Sequence, residues 1–240
     1  MLKKYYAVLA IALAVAQNSV VFAQDNKGEN MKEDILIPRE VLFGNPDKIA
    51  VRMSENGEYI SYIAPLDGVL NIFIAPTSNP LDARAITDDR ERGIRNYSWA
   101  KNNSNIIYAI DNKGDENFRL HSIDIKTLEN KLLTPQNGVR SGIVKISKNF
   151  PDEILVKMNK LVPEYFDIYK INVTTGEIEL IFENKEKYTD FTIDDDFKIR
   201  LGYKMLPTGE GEIYFFKDGN VSESELFQKI KVEDMLTTSA

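Results

Sequence analysis

The sequence predicts an all-β fold, a partial β-propeller of about four blades that forms an open arc. One apolar marker recurs in a short strand pattern, at Met53, Trp99, Ile146 and Ile193. Its successive spacings are 46, 47 and 47 residues. A second apolar marker recurs at Ile72, Leu120, Ile168 and Ile213, with spacings of 48, 48 and 45 residues. Two markers that share a period of about 40–50 residues are typical of a propeller, in which each repeat is one four-stranded blade.

The first repeat shows the strand pattern most fully. Ile49, Val51 and Met53 alternate with polar or small residues, and this period of two indicates a strand. Asn56 and Gly57 follow as a hairpin turn, because both residue types accept a positive φ. The later repeats have the same order of strands and turns. The blades are therefore predicted at residues 48–87, 97–134, 144–183 and 191–231, within a propeller of residues 35–240.

Residues 1–23 are predicted to be a secretory signal peptide. Lys3 and Lys4 give the segment a basic start, residues 7–16 are an unbroken apolar run, and residues 21–23 fit a signal-peptidase site. The run is shorter than the ~20 apolar residues that span a bilayer, although an uncleaved anchor is the alternative. We therefore expect secretion, with the bacterial periplasm as the compartment and no membrane attachment after cleavage.

The segment between the signal peptide and the propeller is polar. Residues 24–34 have the composition of a disordered leader. Residues 37–44 then predict a short N-terminal helix, with Pro38 in its first turn and Gly44 at its end. The pattern predicts no helix between the blades.

Charge and cysteine content exclude several classes of site. The formal net charge of −7 becomes more negative once Lys3 and Lys4 are removed, whereas nucleic-acid binding needs a basic face. No nucleic-acid partner is therefore expected. The chain has no cysteine, which excludes a disulfide framework and a thiolate metal site.

Asp194, Asp195 and Asp196 lack the spacing of a calcium loop and lie at a predicted turn, so neither a metal nor a cofactor is expected.

Five segments, spread over nearly the whole mature chain, resemble the propeller of the prolyl oligopeptidase family of serine peptidases. They are residues 37–46, 87–95, 114–120, 150–156 and 233–239, and they follow the family's order. The resemblance is closest to the acylaminoacyl-peptidase and dipeptidyl-aminopeptidase-like branch. It implies a propeller of roughly seven blades, followed by an α/β-hydrolase domain with a Ser-Asp-His triad. Because this chain stops after about four blades, we expect it to be truncated before the catalytic domain.

The sequence lacks the triad that the resemblance implies. A Gly-x-Ser-x-Gly elbow, which holds the nucleophile on a strained turn, does not occur in the chain. The one histidine, His121, aligns with Phe73, Tyr169 and Tyr214 of the other repeats. We interpret it as a strand residue in an aromatic position rather than as a general base. No enzymatic activity is therefore expected from this chain itself.

Two loops of the second repeat are a candidate binding site. In a propeller, the loop that enters the first strand and the loop between the second and third strands lie on one face. Here these are residues 88–96 and 111–117, which carry Arg90, Glu91, Arg92, Arg95, Asp115, Glu116 and Asn117. The side chains could form an ion-pair network between the loops. They could instead bind a peptide terminus or a partner domain, because arginine makes bidentate contacts with carboxylates.

Two functions remain open at this stage. In the first, the chain is a non-catalytic propeller part of a secreted peptidase, with a substrate-gating role or as a remnant. A separate chain would then carry the remaining blades and the α/β-hydrolase domain. In the alternative, the chain is a free-standing periplasmic module that binds a peptide or a protein. For this module a closed ring of about four blades is conceivable. An open arc would instead leave apolar blade faces exposed, so self-association through those faces is expected.

Overall fold

The computed structural model describes residues 37–43, 47–135, 138–235 and 237. The predicted signal peptide, residues 1–23, and leader, residues 24–34, lie outside the described residues. The chain divides into two units, residues 1–45 and residues 46–240. In the first unit, helix α1 spans Arg39–Phe43, inside the predicted range. The carbonyl of Pro38 accepts the backbone N–H groups of Val41 and Leu42, so the proline lies at the helix start, where its missing N–H is tolerated. No described helix is long and apolar enough to cross a bilayer.

The described part of the second unit is all-β, with four antiparallel sheets of four consecutive strands each. Blade 1 contains β1 (Ile49–Met53), β2 (Tyr59–Leu66), β3 (Val69–Pro76) and β4 (Arg84–Ala85). Blade 2 contains β5 (Tyr97–Trp99), β6 (Asn105–Ile110), β7 (Arg119–Asp124) and β8 (Asn130–Leu132). Blade 3 contains β9 (Ser141–Ile146), β10 (Glu153–Met158), β11 (Asp167–Asn172) and β12 (Ile178–Phe182). Blade 4 contains β13 (Asp190–Ile193), β14 (Ile199–Met205), β15 (Gly211–Phe216) and β16 (Ser224–Ile230).

Central strands bury side chains on both faces, because each blade packs against its neighbours. In β6, Ile106 and Ile107 are both fully buried, and they point to opposite faces since successive strand residues alternate. Ile106 lies in an apolar cluster with Ile63 of blade 1, whereas Ile107 lies in a cluster with Ile154 of blade 3. A third cluster joins blades 3 and 4 in the same way. The described core thus consists of apolar layers between consecutive blades.

The first strands of three blades meet at one cavity. This cavity of 310 Å³ is lined by Arg52 and Met53 of β1, by Ser98 and Trp99 of β5, and by Ile146 of β9. Strands that are far apart in sequence converge there because each occupies the same position in its own blade. The sheets are therefore propeller-like blades, with the first strands of blades 1, 2 and 3 innermost.

Turns of neighbouring blades are joined by hydrogen bonds that span one repeat. The backbone N–H of Asn56 donates to Oδ1 of Asn103, 2.8 Å away and 47 residues later. The amide of Asn149 donates to Asp196 over the same distance, again 47 residues later. The period that is visible in the sequence is therefore the separation of equivalent turns in adjacent blades.

Some outer strands end earlier than their sequence pattern predicts. The predicted ranges of blades 1 and 2 end at residues 87 and 134, but β4 ends at Ala85 and β8 at Leu132. The hydroxyl of Thr87 accepts the backbone N–H of Ile72, and that of Thr134 accepts the N–H of Leu120, each at 2.9 Å. A side-chain oxygen thus replaces the backbone carbonyl that would have extended the ladder.

Candidate binding rim of the second blade

The second-blade rim, as we call it, comprises the loop of residues 86–96 between β4 and β5 and the loop of residues 111–118 between β6 and β7. The buried amide of Asn71 on β3 holds the first loop in place. Its Oδ1 accepts the Thr87 hydroxyl and the backbone N–H of Asp89, both at 2.8 Å. Its Nδ2 donates to the Asp89 carbonyl at 2.9 Å. A single strand residue therefore determines how the loop leaves blade 1.

A tight turn continues the same loop. The Asp89 carboxylate accepts the backbone N–H groups of Arg92 and Gly93, at 3.0 and 2.5 Å. Gly93 has a φ of 77°, and a Cβ there would lie 3.0 Å from Cβ of Leu70. The backbone N–H of Ile94 then donates to the Leu70 carbonyl at 2.8 Å. Glycine is required at this point because the turn needs positive φ and close contact with β3.

Two of the predicted arginines make ion pairs that connect different parts of the rim. Arg90 contacts Asp67, in the turn between β2 and β3, and also Asp88, each at 2.5 Å. The hydrogen bond to Asp67, and next that to Asp88, raise the pKa of Arg90. Arg92 lies 3.4 Å from the nearly buried carboxylate of Asp111 in the second loop. The exposed Arg90 pairs are weak, since water and salt screen them, but Arg92 does bridge the two loops.

Asp115 organises the second loop from within. Its carboxylate accepts the backbone N–H groups of Asn112 and Asn117, both at 3.1 Å, and lies 2.7 Å from the guanidinium of Arg119. The hydrogen bond from Arg119 is the main reason that the pKa of Asp115 lies below its ordinary value. Neither Arg119 nor Asp111 belongs to the predicted set. No sequence signal identifies Arg119 or Asp111 as site residues in advance, because the directions of their side chains depend on the strand register.

The remaining predicted residues do not take part in these ion pairs and hydrogen bonds of the rim. Glu91 and Arg95 are exposed, and the described residues offer neither of them an ion-pair partner. Glu116 is exposed and has a φ of 56°, and Asn117 is half-buried. The structure thus brings Arg90, Arg92 and Asp115 into structural contacts but does not pair Glu91 with Arg95.

Two cavities adjoin the rim on either side of blade 2. A cavity of 410 Å³ is lined by Asp89, Glu91, Asp111, Arg119 and His121, together with Ile110 and Asn112. A larger cleft, which Arg95 lines, lies towards blade 3. In the part of the chain that the structure describes, no three His, Asp or Glu side chains are arranged to hold a metal ion.

His121 occupies the aromatic position that the repeat alignment predicts. It pairs with Tyr108 across β6 and β7, and the two rings are stacked with centroids 5.2 Å apart. Tyr62 and Phe73 form the equivalent stacked pair of blade 1, at 5.7 Å. Burial lowers the pKa of His121, which favours its neutral form.

The aspartate run at residues 194–196 forms a turn. The Asp194 carboxylate accepts the backbone N–H groups of Asp196 and Lys198, at 3.0 and 2.9 Å. It also accepts Nε of Arg200 at 2.6 Å. These bonds use the carboxylate to close the hairpin between β13 and β14.

Two curated proteins are similar in sequence to this chain. Dipeptidyl aminopeptidase BIII of Pseudoxanthomonas mexicana is 38% identical over 204 residues, which cover 85% of this chain and 29% of that protein. Dipeptidyl peptidase family member 6 of Caenorhabditis elegans is 28% identical over 205 residues, which cover 82% of this chain and 27% of that protein. The chain therefore spans less than a third of the length of either relative.

A solved structure supports the fold. The β-propeller domain of the Trilobed protease from Pyrococcus furiosus superposes with a TM-score of 0.50 at 21% identity, over 75% of this chain and 57% of that one. No family model matches the chain.

Proposed function

Because the chain is homologous to the propeller portion of dipeptidyl aminopeptidases and acylaminoacyl peptidases of the prolyl oligopeptidase family, we propose that it is a substrate-gating propeller segment without hydrolase activity of its own. The observation that carries this proposal is the 38% identity to dipeptidyl aminopeptidase BIII, which is confined to 29% of that protein. The matched part is the non-catalytic propeller. The proposed role is to restrict and orient peptides that approach a hydrolase domain.

The proposal includes an open arc that is completed by other blades. Three apolar clusters join four consecutive sheets, and the described residues form no equivalent cluster between blades 4 and 1. A blade that is shaped for a wider ring has the wrong wedge angle to close a ring of four. The partner would be a polypeptide that carries the remaining blades and the α/β-hydrolase domain.

The outer face of blade 4 is the proposed contact for that partner. Phe216 packs towards blade 3, so its neighbour Phe215 points to the opposite face. Leu201 and Phe215 are cross-strand partners there, and Met205 lies further along β14. Phe215 and Met205 are exposed, at 39% and 60% of their surface. An exposed apolar sheet face of this kind is typical of an interface. Secretion to the periplasm remains part of the proposal because of the N-terminal residues 1–23.

Reassembly of a split enzyme tests this function. The mature chain is mixed with a fragment of dipeptidyl aminopeptidase BIII that lacks the matched 204 residues, and release of a chromogenic dipeptide is measured. We expect activity from the mixture and none from either part alone. The variant Phe215→Lys should reduce the activity of the mixture, because it adds a charge to the proposed contact on the outer face of blade 4, and Leu81→Lys, in the connection between β3 and β4, is the matched control. Hydrolysis by this chain alone would contradict the proposal. So would an inactive mixture in which both parts are folded but form no complex.

The second candidate function is a free-standing module that binds a peptide or a protein. The cleft between blades 2 and 3 favours it, since that cleft is formed entirely by described residues of this chain. A monodisperse monomer with a cooperative melt at high temperature would favour this second function over the first.

A further inference from the structure

A cleft of 550 Å³ separates the inner parts of blades 2 and 3. We call it the inter-blade cleft. Its floor is apolar: Ile107 and Leu120 of blade 2 line it, and both are almost completely buried. Ile143 of β9 forms the opposite wall. A volume of this size is sufficient for a small ligand, and concave apolar sites with a few polar groups are the usual form of such sites.

The cleft exists because β9 carries small residues where it passes blade 2. Ser141 and Gly142 begin this strand and both line the cleft. The backbone N–H of Ser141 donates to the carbonyl of Phe118 at 3.2 Å, which fixes the distance between the two blades at this point. A larger side chain at position 141 would enter this space, whereas one at position 142 would point to the other face of β9, where a Cβ would contact Lys157.

One buried polar group in the cleft has no protein partner. Ser141 is 7% exposed, and its Oγ makes no hydrogen bond with any described residue. Its side chain lies on the same face of β9 as that of Ile143, towards blade 2, since residues two apart in a strand share a face. Buried hydroxyl groups are nearly always hydrogen-bonded, so a lone one that lines a cavity points to a ligand group.

A cation stands at the mouth of the cleft. Arg95 is exposed, and no carboxylate of the described chain lies within ion-pair distance of it. Asp111, which shares a neighbouring cavity of 50 Å³ with Arg95, is already contacted by Arg92 at 3.4 Å. Phe118 is 45% exposed beside Arg95 and adds an aromatic edge to the mouth. The site therefore combines one available guanidinium with an apolar interior.

We propose that the inter-blade cleft binds a carboxylate carried on an apolar body, such as the C-terminal residue of a short peptide. The Arg95 guanidinium takes the carboxylate, for which its planar pair of donors is suited. The apolar body lies against Ala109, Phe118 and Ile143, the apolar lining residues that are not fully buried, and a polar group of the ligand bonds the hydroxyl of Ser141. The same chemistry occurs in a fatty acid. This inference does not depend on the proposed function, because it concerns binding by this chain alone.

Calorimetric binding to the full mature chain tests the proposal. The probes are N-acetyl-Ala-Ala-Leu as the free acid, the same peptide as its C-terminal amide, and octanoate. We expect the free acid to bind at least about tenfold more tightly than the amide, since only the acid offers a charged acceptor to arginine. Octanoate separates the two sources: if it binds and the peptide acid does not, the ligand is a free fatty acid, and the carboxylate chemistry stands.

Two arginine variants identify the group responsible. Arg95→Gln should abolish the preference for acid over amide, and Ser141→Ala should weaken both peptides. Arg140→Gln is the matched control, because Arg140 is exposed, precedes Ser141 and does not line the cleft. It should keep the preference for the acid. Detectable binding of acid and amide with equal affinity by the unaltered chain would overturn the proposal, as would equal effects of the two arginine variants. Absence of binding of all three probes by a chain whose circular dichroism shows folded β-structure would overturn it too.

Discussion

At the scale of single residues, the four blades place different polar side chains at one repeated position. This position directly precedes the second apolar marker, and its occupants Asn71, Arg119, Asp167 and Glu212 are all buried. Asp167 accepts the backbone N–H of Asn184 through one carboxylate oxygen, and its other oxygen has no partner among the described residues. Asn71 holds the loop after β4 through Thr87, whereas Arg119 holds the loop before β7 through Asp115. The repeat therefore determines where a polar side chain is buried, and the local loop determines which residue type occupies that position.

His121 gives the clearest pH dependence. Burial, which is the largest effect, lowers its pKa from the ordinary value of 6.5, and the hydrogen bond with Asn130 opposes this shift. The unfolded state therefore binds more protons than the folded state as the pH falls. Stability from this residue is complete above pH 6.5 and is lost as the pH falls through 6.5 towards the lower folded-state value.

We predict that His121→Phe removes this pH dependence. Phenylalanine fits the position, since Phe73 stacks on Tyr62 at the equivalent place in blade 1. The urea midpoint of the unaltered chain should fall between about pH 7.5 and about pH 5, while that of the variant should stay nearly constant. Acidic groups with lowered pKa, such as Asp115 and Glu212, titrate below this window. An unchanged pH slope in the variant would show that His121 is not the titrating group.

At the scale of the element, the neighbouring blade decides whether an inner strand is buried. Met53 and Trp99 occupy the same repeated position in β1 and β5, but they are 60% and 7% exposed. Trp99 faces blade 1, and its Nε1 donates to the hydroxyl of Ser61 at 2.8 Å. No described strand packs in the same way on Met53. Strand pattern is thus a local property, whereas burial depends on what lies beside the strand.

The hydrogen bond between Trp99 and Ser61 leads to a prediction about how the interface between blades 1 and 2 contributes to stability. Ser61→Ala leaves the buried indole N–H without its acceptor, which should destabilise the fold by about 1–3 kcal/mol. The measurement is the urea midpoint followed by fluorescence, and Trp99 is the only tryptophan in the chain. Ser222→Ala, at an exposed serine, is the control and should leave the midpoint unchanged. If both variants unfold at the same midpoint, the hydrogen bonds of Ser61 with Trp99 and with the Tyr97 hydroxyl contribute nothing.

At the scale of the whole molecule, the outer face of blade 4 is the surface on which the proposed association with a partner depends. Consecutive blades bury their faces against each other, and among the described residues no further sheet follows on the outer face of blade 4. On blade 4 this face includes Met205 and Phe215. We propose that the same face serves the partner and, in the partner's absence, a second copy of this chain.

We predict that the isolated mature chain self-associates and that Phe215→Lys or Met205→Lys reduces this. A lysine on the apolar face would have to be buried without a partner in any association that uses it. Sedimentation velocity over a range of concentrations measures the effect. Leu81→Lys is the matched control, because Leu81 is 94% exposed but lies in the connection between β3 and β4. A chain that is monomeric at every concentration would contradict the prediction.

Much of the fold follows from the sequence, because its causes are local. Alternating apolar residues and turn residues such as Asn56 and Gly57 predict strands and hairpins, and their period predicts the order of the blades. The spacing of Trp99 from Ile146 is the spacing of inner strands around the shared cavity. The candidate rim was also predictable as a place, since its two loops follow from the strand order.

Only the tertiary structure decided which rim side chains form pairs and which remain available. Arg90 pairs with Asp67, whose turn belongs to another blade, and Arg119 rather than Arg95 reaches Asp115. These choices depend on register and loop path, which bring together residues that no short sequence pattern connects. The inter-blade cleft has the same origin: Ser141 and Arg95 lie on different blades, and only the packing of those blades places a cation and a lone hydroxyl around one apolar space.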